Sequence, residues 1–172
     1  TKVDRRDVGV QVLGAQAAAT ESPLPLVLAQ GVARGEKMDL IVQKATELGA
    51  HRIVPLLTER SEVRLDAARS DKRLQHWRAV AASACEPCGR ARLPEIAAPL
   101  ALRDWLAAPM AGEPLRLALL PDASLSARQL RMPQAGASLV VGPEGGLGER
   151  DIAALRENGF TGLGLGPRIL RT

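Results

Sequence analysis

Aromatic side chains are nearly missing from this chain: one Phe, two Trp and no Tyr, 2% of its residues. Its core must therefore be aliphatic, built from Leu, Val, Ala and Ile, and little is left for stacking flipped nucleobases. Histidine is equally scarce, with only His51 and His76. Two cysteines, Cys85 and Cys88, make a single C-x-x-C. No second Cys pair completes a zinc site and neither His stands at ligand spacing, so no metal is expected. A C-x-x-C can be redox-active, but two small, partly buried thiols in a reducing cytosol are the simpler reading. No apolar run is long enough to span a bilayer, so no membrane contact is expected and the location read is cytoplasmic. Residues 1–6 (TKVDRR) lead into no apolar signal-peptide core. Neither G-x-G-x-x-G nor G-x-x-x-x-G-K-[ST] occurs, which leaves a standard dinucleotide fold and a P-loop without support.

What is present suits one globular domain with a real core: 172 residues, 46% of them apolar. The net charge of +4 is unevenly placed. Nine basic and five acidic side chains fall between His51 and Arg92, while the remainder balances at fourteen of each. Such a local excess is the footprint of a polyanion partner, and equally that of an ordinary solvated helix face.

Apolar periodicity alternates between strand and helix along the chain. Val8, Val10 and Val12 alternate as one strand. Residues 24–29 (LPLVLA) read as a buried strand, and Met38, Ile41, Ala45 and Leu48 as one helix face closed by Gly49. Residues 52–57 (RIVPLL) form the next strand, and the polar cluster 58–62 (TERSE) at its carboxyl end is in the right place for a ligand, though a solvated loop is the simpler reading. A helix is expected over 71–85, with Leu74, Trp77, Val80 or Ala81, and Ala84 inward, and Pro87 and Gly89 stopping it. Then come a short strand, a helix at 100–108, strands at 115–120 and 138–141, a helix at 149–157 with Ile152, Leu155 and Ala153 as candidates for its inner face, and a last strand at 160–165. This order implies right-handed parallel crossovers: an α/β fold with a mostly parallel sheet and helices on both faces.

The most informative stretch is 139–150, LVVGPEGGLGER: a buried strand, a glycine loop and a helix start. Glycine lets backbone approach a ligand closely, and in an open α/β sheet ligands sit at the carboxyl ends of strands. A second glycine-proline loop, LGPR at 165–168, ends the following strand.

Four stretches carry a resemblance: 38–49 (MDLIVQKATELG), 55–60 (PLLTER), 85–96 (CEPCGRARLPEI), and GPEGGLGERDI with LGPRILRT. In this order and spacing they resemble the SPOUT superfamily of knotted methyltransferases. Within it, they are most similar to the bacterial family that methylates N3 of a uridine in 16S rRNA of the small ribosomal subunit. The resemblance implies a SPOUT methyltransferase domain over residues 21–172, with a deep trefoil knot in its C-terminal half. It also implies that residues 1–20 are the remnant of an N-terminal PUA-like RNA-binding β module. S-adenosylmethionine (AdoMet) would bind among three loops, through Leu119, Leu120 and Pro121, Gly142, Pro143, Glu144, Gly145 and Gly146, and Leu165, Gly166, Ile169 and Leu170. The partners implied are 16S rRNA or the small subunit, and a second copy in a homodimer.

The reaction would be attack of a uracil nitrogen on a sulfonium methyl, with the N3 proton removed or the anion stabilised. Glu86 and Arg90 are the catalytic candidates. Arg60, Arg64, Arg90, Arg92 and Arg171 are the candidate RNA contacts, and Glu144 is expected to brace its loop or meet polar groups of the cofactor. The sequence departs from the family pattern at Pro87 and Ala91, where polar amides are usual. The family also continues past Arg171-Thr172 into a long helix, and the chain begins with Thr1 rather than Met, so it reads as a piece of a longer protein. Two alternatives are a non-catalytic RNA-binding assembly factor on the same fold, and a SPOUT enzyme acting on tRNA.

Overall fold

The computed structural model describes residues 2–3, 8–14, 20–61, 67–108, 115–131, 133 and 135–166. Arg64, Ile169, Leu170 and Arg171 lie outside the described residues. Among the described residues the strands are β1 (Lys2–Val3), β2 (Val8–Gly9), β3 (Leu26–Gly31), β4 (Arg52–Leu57), β5 (Glu95–Ile96), β6 (Leu100–Ala101), β7 (Leu115–Leu119), β8 (Leu125–Ser126), β9 (Ala137–Val141) and β10 (Thr161–Gly164). The helices described are α1 (Lys37–Glu47), α2 (Ala67–Cys88), α3 (Leu102–Ala107) and α4 (Glu149–Glu157), with a 3-10 turn at Ala127–Gln129.

β1 and β2 pair antiparallel as a separate hairpin. The expected alternation through Val10 and Val12 does not continue as strand. Both are exposed, with Leu13, since none of the described residues covers a face there. The main sheet runs β5-β4-β3-β9-β7-β10-β8, with β6 also on β4, and its pairings are parallel throughout. The α/β fold with a mostly parallel sheet is therefore observed.

Strand alternation divides the core in two. Val54 and Leu56 of β4, with Ala29 and Val140, pack under Leu102 and Trp105 of α3 and Leu155 of α4. Ile53, Ile96 and Val32 face Met38, Val42 and Ala45 of α1 and Trp77 and Ala81 of α2. Trp77 is thus core, not a stacking platform. Trp105 and Phe160 meet at 5.8 Å between ring centres, tying α3 to the approach to β10.

Several local expectations shift. α1 buries Met38, Val42, Ala45 and Thr46, whereas Leu48 caps the helix at 82% exposure. Thr46 can be fully buried because its hydroxyl donates to the Val42 carbonyl at 2.8 Å. Gly49, at φ +89°, ends the helix as expected. α2 starts before Asp71 and carries Pro87 inside its last turn, so Gly89 at φ +73° terminates it. A proline in an exposed final turn removes only one helical bond. On α4, Leu155 is buried but Ala153 is exposed.

Candidate functional site

β7, β9 and β10 end side by side, and the loops that leave them enclose one cleft of about 440 Å³. Its walls are Leu119, Leu120 and Pro121 after β7, Gly142, Pro143, Glu144, Gly145 and Gly146 after β9, and Leu165 and Gly166 after β10. Val141, Leu147, Ile152 and Leu163 supply apolar floor, and Arg60 and Glu149 stand at the polar side. The ten described residues expected to hold the cofactor thus line one space. The volume suits a small organic molecule, and the position is where open parallel sheets bind ligands.

Close backbone approach makes the cleft possible. A Cβ on Gly142 would lie 2.7 Å from the Gly146 carbonyl carbon, and one on Gly31 only 2.5 Å from Pro143 Cδ. Gly146 takes φ +71° and donates its N–H to the Pro143 carbonyl at 2.8 Å, closing a tight turn.

Side chains from distant parts of the chain then hold the loop. Gln30, 3% exposed, donates to the Gly142 carbonyl at 3.1 Å. Arg60 donates to the Gly145 carbonyl at 2.9 Å. Glu144 accepts from the Arg34 N–H and the Lys37 ammonium, each at 3.1 Å, so it braces the loop. Burial pushes the Glu144 carboxyl up, but its own N–H, the Arg34 N–H and the Lys37 ammonium outweigh that and hold it below its ordinary value.

The polar cluster after β4 is not a merely solvated loop. Asp151, buried at the start of α4, accepts from the Glu59 N–H at 3.0 Å and the Gly148 N–H at 3.1 Å. Glu59 accepts in return from the Arg150 N–H at 3.2 Å. Two carboxylates thereby satisfy N–H groups at and around the first turn of α4 and join that turn to the segment after β4. Gln30, Gly31, Glu59 and Asp151 were missed as site residues. The one available signal was a Gln at the end of an otherwise apolar strand.

Glu86 and Arg90 are not brought to the cleft. Arg90 lies at the amino end of the sheet, donating to the Thr46 and Ala50 carbonyls at 2.9 Å each and to Glu21 at 2.8 Å. Its side chain is 4% exposed. The six residues of β4 separate that end from Arg60, a span of about 20 Å at ~3.3 Å per residue. Glu86 is exposed in the last turn of α2. Arg92 gives its N–H to Glu21, and its side chain is exposed at the same amino end. Arg90 pairs with neither Glu86 nor Glu95; Glu95 meets Arg52 instead. The Arg90 guanidinium lowers the Glu21 carboxyl below its ordinary value against the opposing effect of burial, and the N–H groups of Arg92 and Ala91 lower it further. Cys85 and Cys88 are free thiols, and burial pushes Cys85 up, partly offset by Arg90, which works against a reactive thiolate.

With this geometry in hand, the chain matches the family of the RNA methyltransferase domain over residues 20–172. It belongs to that family. Ribosomal RNA small subunit methyltransferase E of Buchnera aphidicola (Schizaphis graminum) is 31% identical over 171 residues, 99% of this chain and 69% of the relative. The Bacillus subtilis protein of that name is 33% identical over 88% of this chain and 62% of its own. The Neisseria gonorrhoeae enzyme of that name, crystallised with S-adenosyl methionine, superposes with a TM-score of 0.85 at 37% identity, over 91% of this chain and 64% of that one. A Legionella pneumophila structure in complex with the same cofactor gives 0.82 at 39% identity, over 88% and 62%. The RNA methyltransferase domain described here thus spans less than two thirds of several of these relatives.

Proposed function

We propose that this chain is an AdoMet-dependent RNA methyltransferase that modifies N3 of a uridine in 16S rRNA of the small ribosomal subunit. The observation that carries the reading is the convergence of three strand-end loops on one cleft, in a chain of this family whose relatives were crystallised with AdoMet. The uridine-N3 choice rests on the four motif stretches quoted above.

The residues fit the cofactor. Leu119, Leu120, Leu147 and Leu165 offer apolar walls for a flat adenine, and the bare Gly142 lets the loop backbone at Gly146 and Leu147 fold in closely beside them. Glu144 and Glu149 place negative charge beside a cationic ligand. AdoMet, when bound, supplies an activated methyl whose leaving group is a neutral thioether. The protein's part is then alignment and exclusion of water. Val141, Ile152 and Leu163 keep the floor dry, and the glycine loop fixes the donor's orientation. Arg60, at the rim, is placed to orient the incoming nucleotide. Arg64 and Arg171 belong to the same RNA-side expectation. Glu86 and Arg90 take no part in the proton transfer at this chain's own cleft, given their distance from it.

The finer points of fold and assembly belong to the same reading. β10 lies between β7 and β8, and β8 is part of the connection from β7 to β9. That placement supports a chain threaded through this connection, as a trefoil knot requires. A homodimer, a PUA-like origin for residues 1–20 and a cytoplasmic location complete the proposal. Among the described residues no helix is long and apolar enough to cross a membrane.

The test is methyl transfer from labelled AdoMet to small-subunit particles, naked 16S rRNA and tRNA, followed by nucleoside analysis. Label in 16S rRNA as N3-methyluridine is expected. Label in tRNA alone would reassign the substrate, and no transfer to any of the three would favour a non-catalytic RNA-binding protein.

A further inference from the structure

Central strands of a parallel sheet are covered on both faces and read as nearly continuous apolar runs. Gln30 breaks that rule. It lies on β3, between β4 and β9, in register with Pro55 on one side and Val141 on the other. It is 3% exposed, yet its side chain ends in a polar amide. Burying an amide is costly unless its hydrogen bonds are made. Its Nε2 makes two, to the Gly31 carbonyl at 2.9 Å and the Gly142 carbonyl at 3.1 Å. Gly142 is the first residue of the glycine loop, one past the strand partner of Gln30. The next residue, Gly31, is the only type that fits there, since its Cβ would overlap Pro143. Gln30 and Gly31 therefore act together: the glycine lets the loop come down onto β3, and the amide fixes the carbonyl that arrives.

We propose that Gln30 is a positioning residue for the cofactor loop, orienting the Gly142-Pro143 turn from beneath so that the loop keeps the shape that receives AdoMet. This rests on the functional reading above for the ligand, but not for the loop. With Gln30 in place, the Gly142 carbonyl is turned into the sheet and away from the cleft. Without it, a buried acceptor is left unsatisfied, and the turn gains a reason to rotate toward solvent.

The test compares Gln30→Met, which keeps length and approximate volume, with Gln30→Glu, which puts an acceptor opposite two carbonyls. By calorimetry, Gln30→Met should weaken AdoMet binding about tenfold and Gln30→Glu more, the effect on the loop of losing the buried bond to the Gly142 carbonyl. In turnover, KM for AdoMet should rise, with KM for RNA unchanged. A side chain that only filled space would give a near-neutral Gln30→Met. Amide hydrogen exchange without ligand reads the same point independently of AdoMet: residues 142–147 should exchange faster in Gln30→Met, while α1 and α2 keep their protection. If either variant fails to fold, the side-chain amide protons of Gln30 in the unaltered protein decide. Slow exchange supports the bond to Gly142, and solvent-like exchange overturns it. Variants that bind AdoMet within twofold of the parent and leave loop exchange unchanged would also overturn the proposal. A parent that binds no AdoMet would instead overturn the functional reading, leaving the exchange result to judge Gln30.

Discussion

The two ends of the sheet both carry polar networks, but the networks do different work. At the amino end, Arg90 reaches the Thr46 and Ala50 carbonyls and Glu21, and Glu21 also accepts the N–H groups of Ala91 and Arg92. Every one of those groups is turned onto another part of the chain, and the network joins the segment before β3 to the ends of α1 and α2. At the carboxyl end, Gln30, Arg60 and Glu144 also hold backbone, but the backbone they hold borders an open cleft. A charged residue in a basic segment is thus no guide to function until its end of the sheet is known. The same residue type braces α1 in Arg90 and lines the open cleft in Arg60.

Breaking the carboxyl end should show in binding. Gly142→Ala places a Cβ 2.7 Å from the Gly146 carbonyl carbon and 2.9 Å from the Leu147 nitrogen, backbone that cannot yield cheaply. Overpacking of about 3 kcal/mol spent on the loop corresponds to AdoMet affinity reduced about 100-fold, read by calorimetry. Breaking the amino end should show in stability instead. Arg90→Ala removes charged hydrogen bonds to two α1-end carbonyls and should cost about 3 kcal/mol in urea unfolding, with AdoMet affinity of the folded protein within about twofold of the parent. Arg60→Ala sits between these outcomes. Its bond to Gly145 is exposed to solvent, so AdoMet affinity should fall only about threefold, with no measurable change in unfolding midpoint. RNA affinity of this variant, measured across a salt series, should lose part of its slope if Arg60 also meets phosphate.

The smallest effect concerns acid. Glu21 and Glu144, one at each end, both titrate below the ordinary value of 4.5 in the folded chain. A carboxyl with a lowered folded value contributes stability that is fully present above its unfolded value and is lost as pH falls through the folded one. Unfolding should therefore become easier below pH 4.5, and Glu21→Gln or Glu144→Gln should each flatten that acid limb. Urea titrations at a series of acid pH values check it.

What the sequence made legible follows the range of each interaction. The strand at 52–57, the helix at 149–157 and the glycine loop between β9 and α4 are written in neighbouring residues, and periodicity and turn chemistry found them. The polar ties could not be found that way. Gln30 and Gly142 are 112 positions apart, Arg60 and Gly145 are 85, and Arg90 and Glu21 are 69. Nothing local to Arg90 distinguishes an arginine that faces RNA from one that caps a helix, so the sequence did not show that it lies away from this chain's cleft. Nothing local to Glu59 showed that its carboxylate and N–H would be joined to α4, so a latch read as a solvated loop.

Hydrogen exchange of the whole protein with and without AdoMet tests the contrast between the two ends most directly. Saturating AdoMet should slow exchange at 119–121, 142–147 and 163–166 while leaving 20–22, 46–50 and 90–92 unchanged. Protection at the amino end, or none at the three strand-end loops, would contradict it.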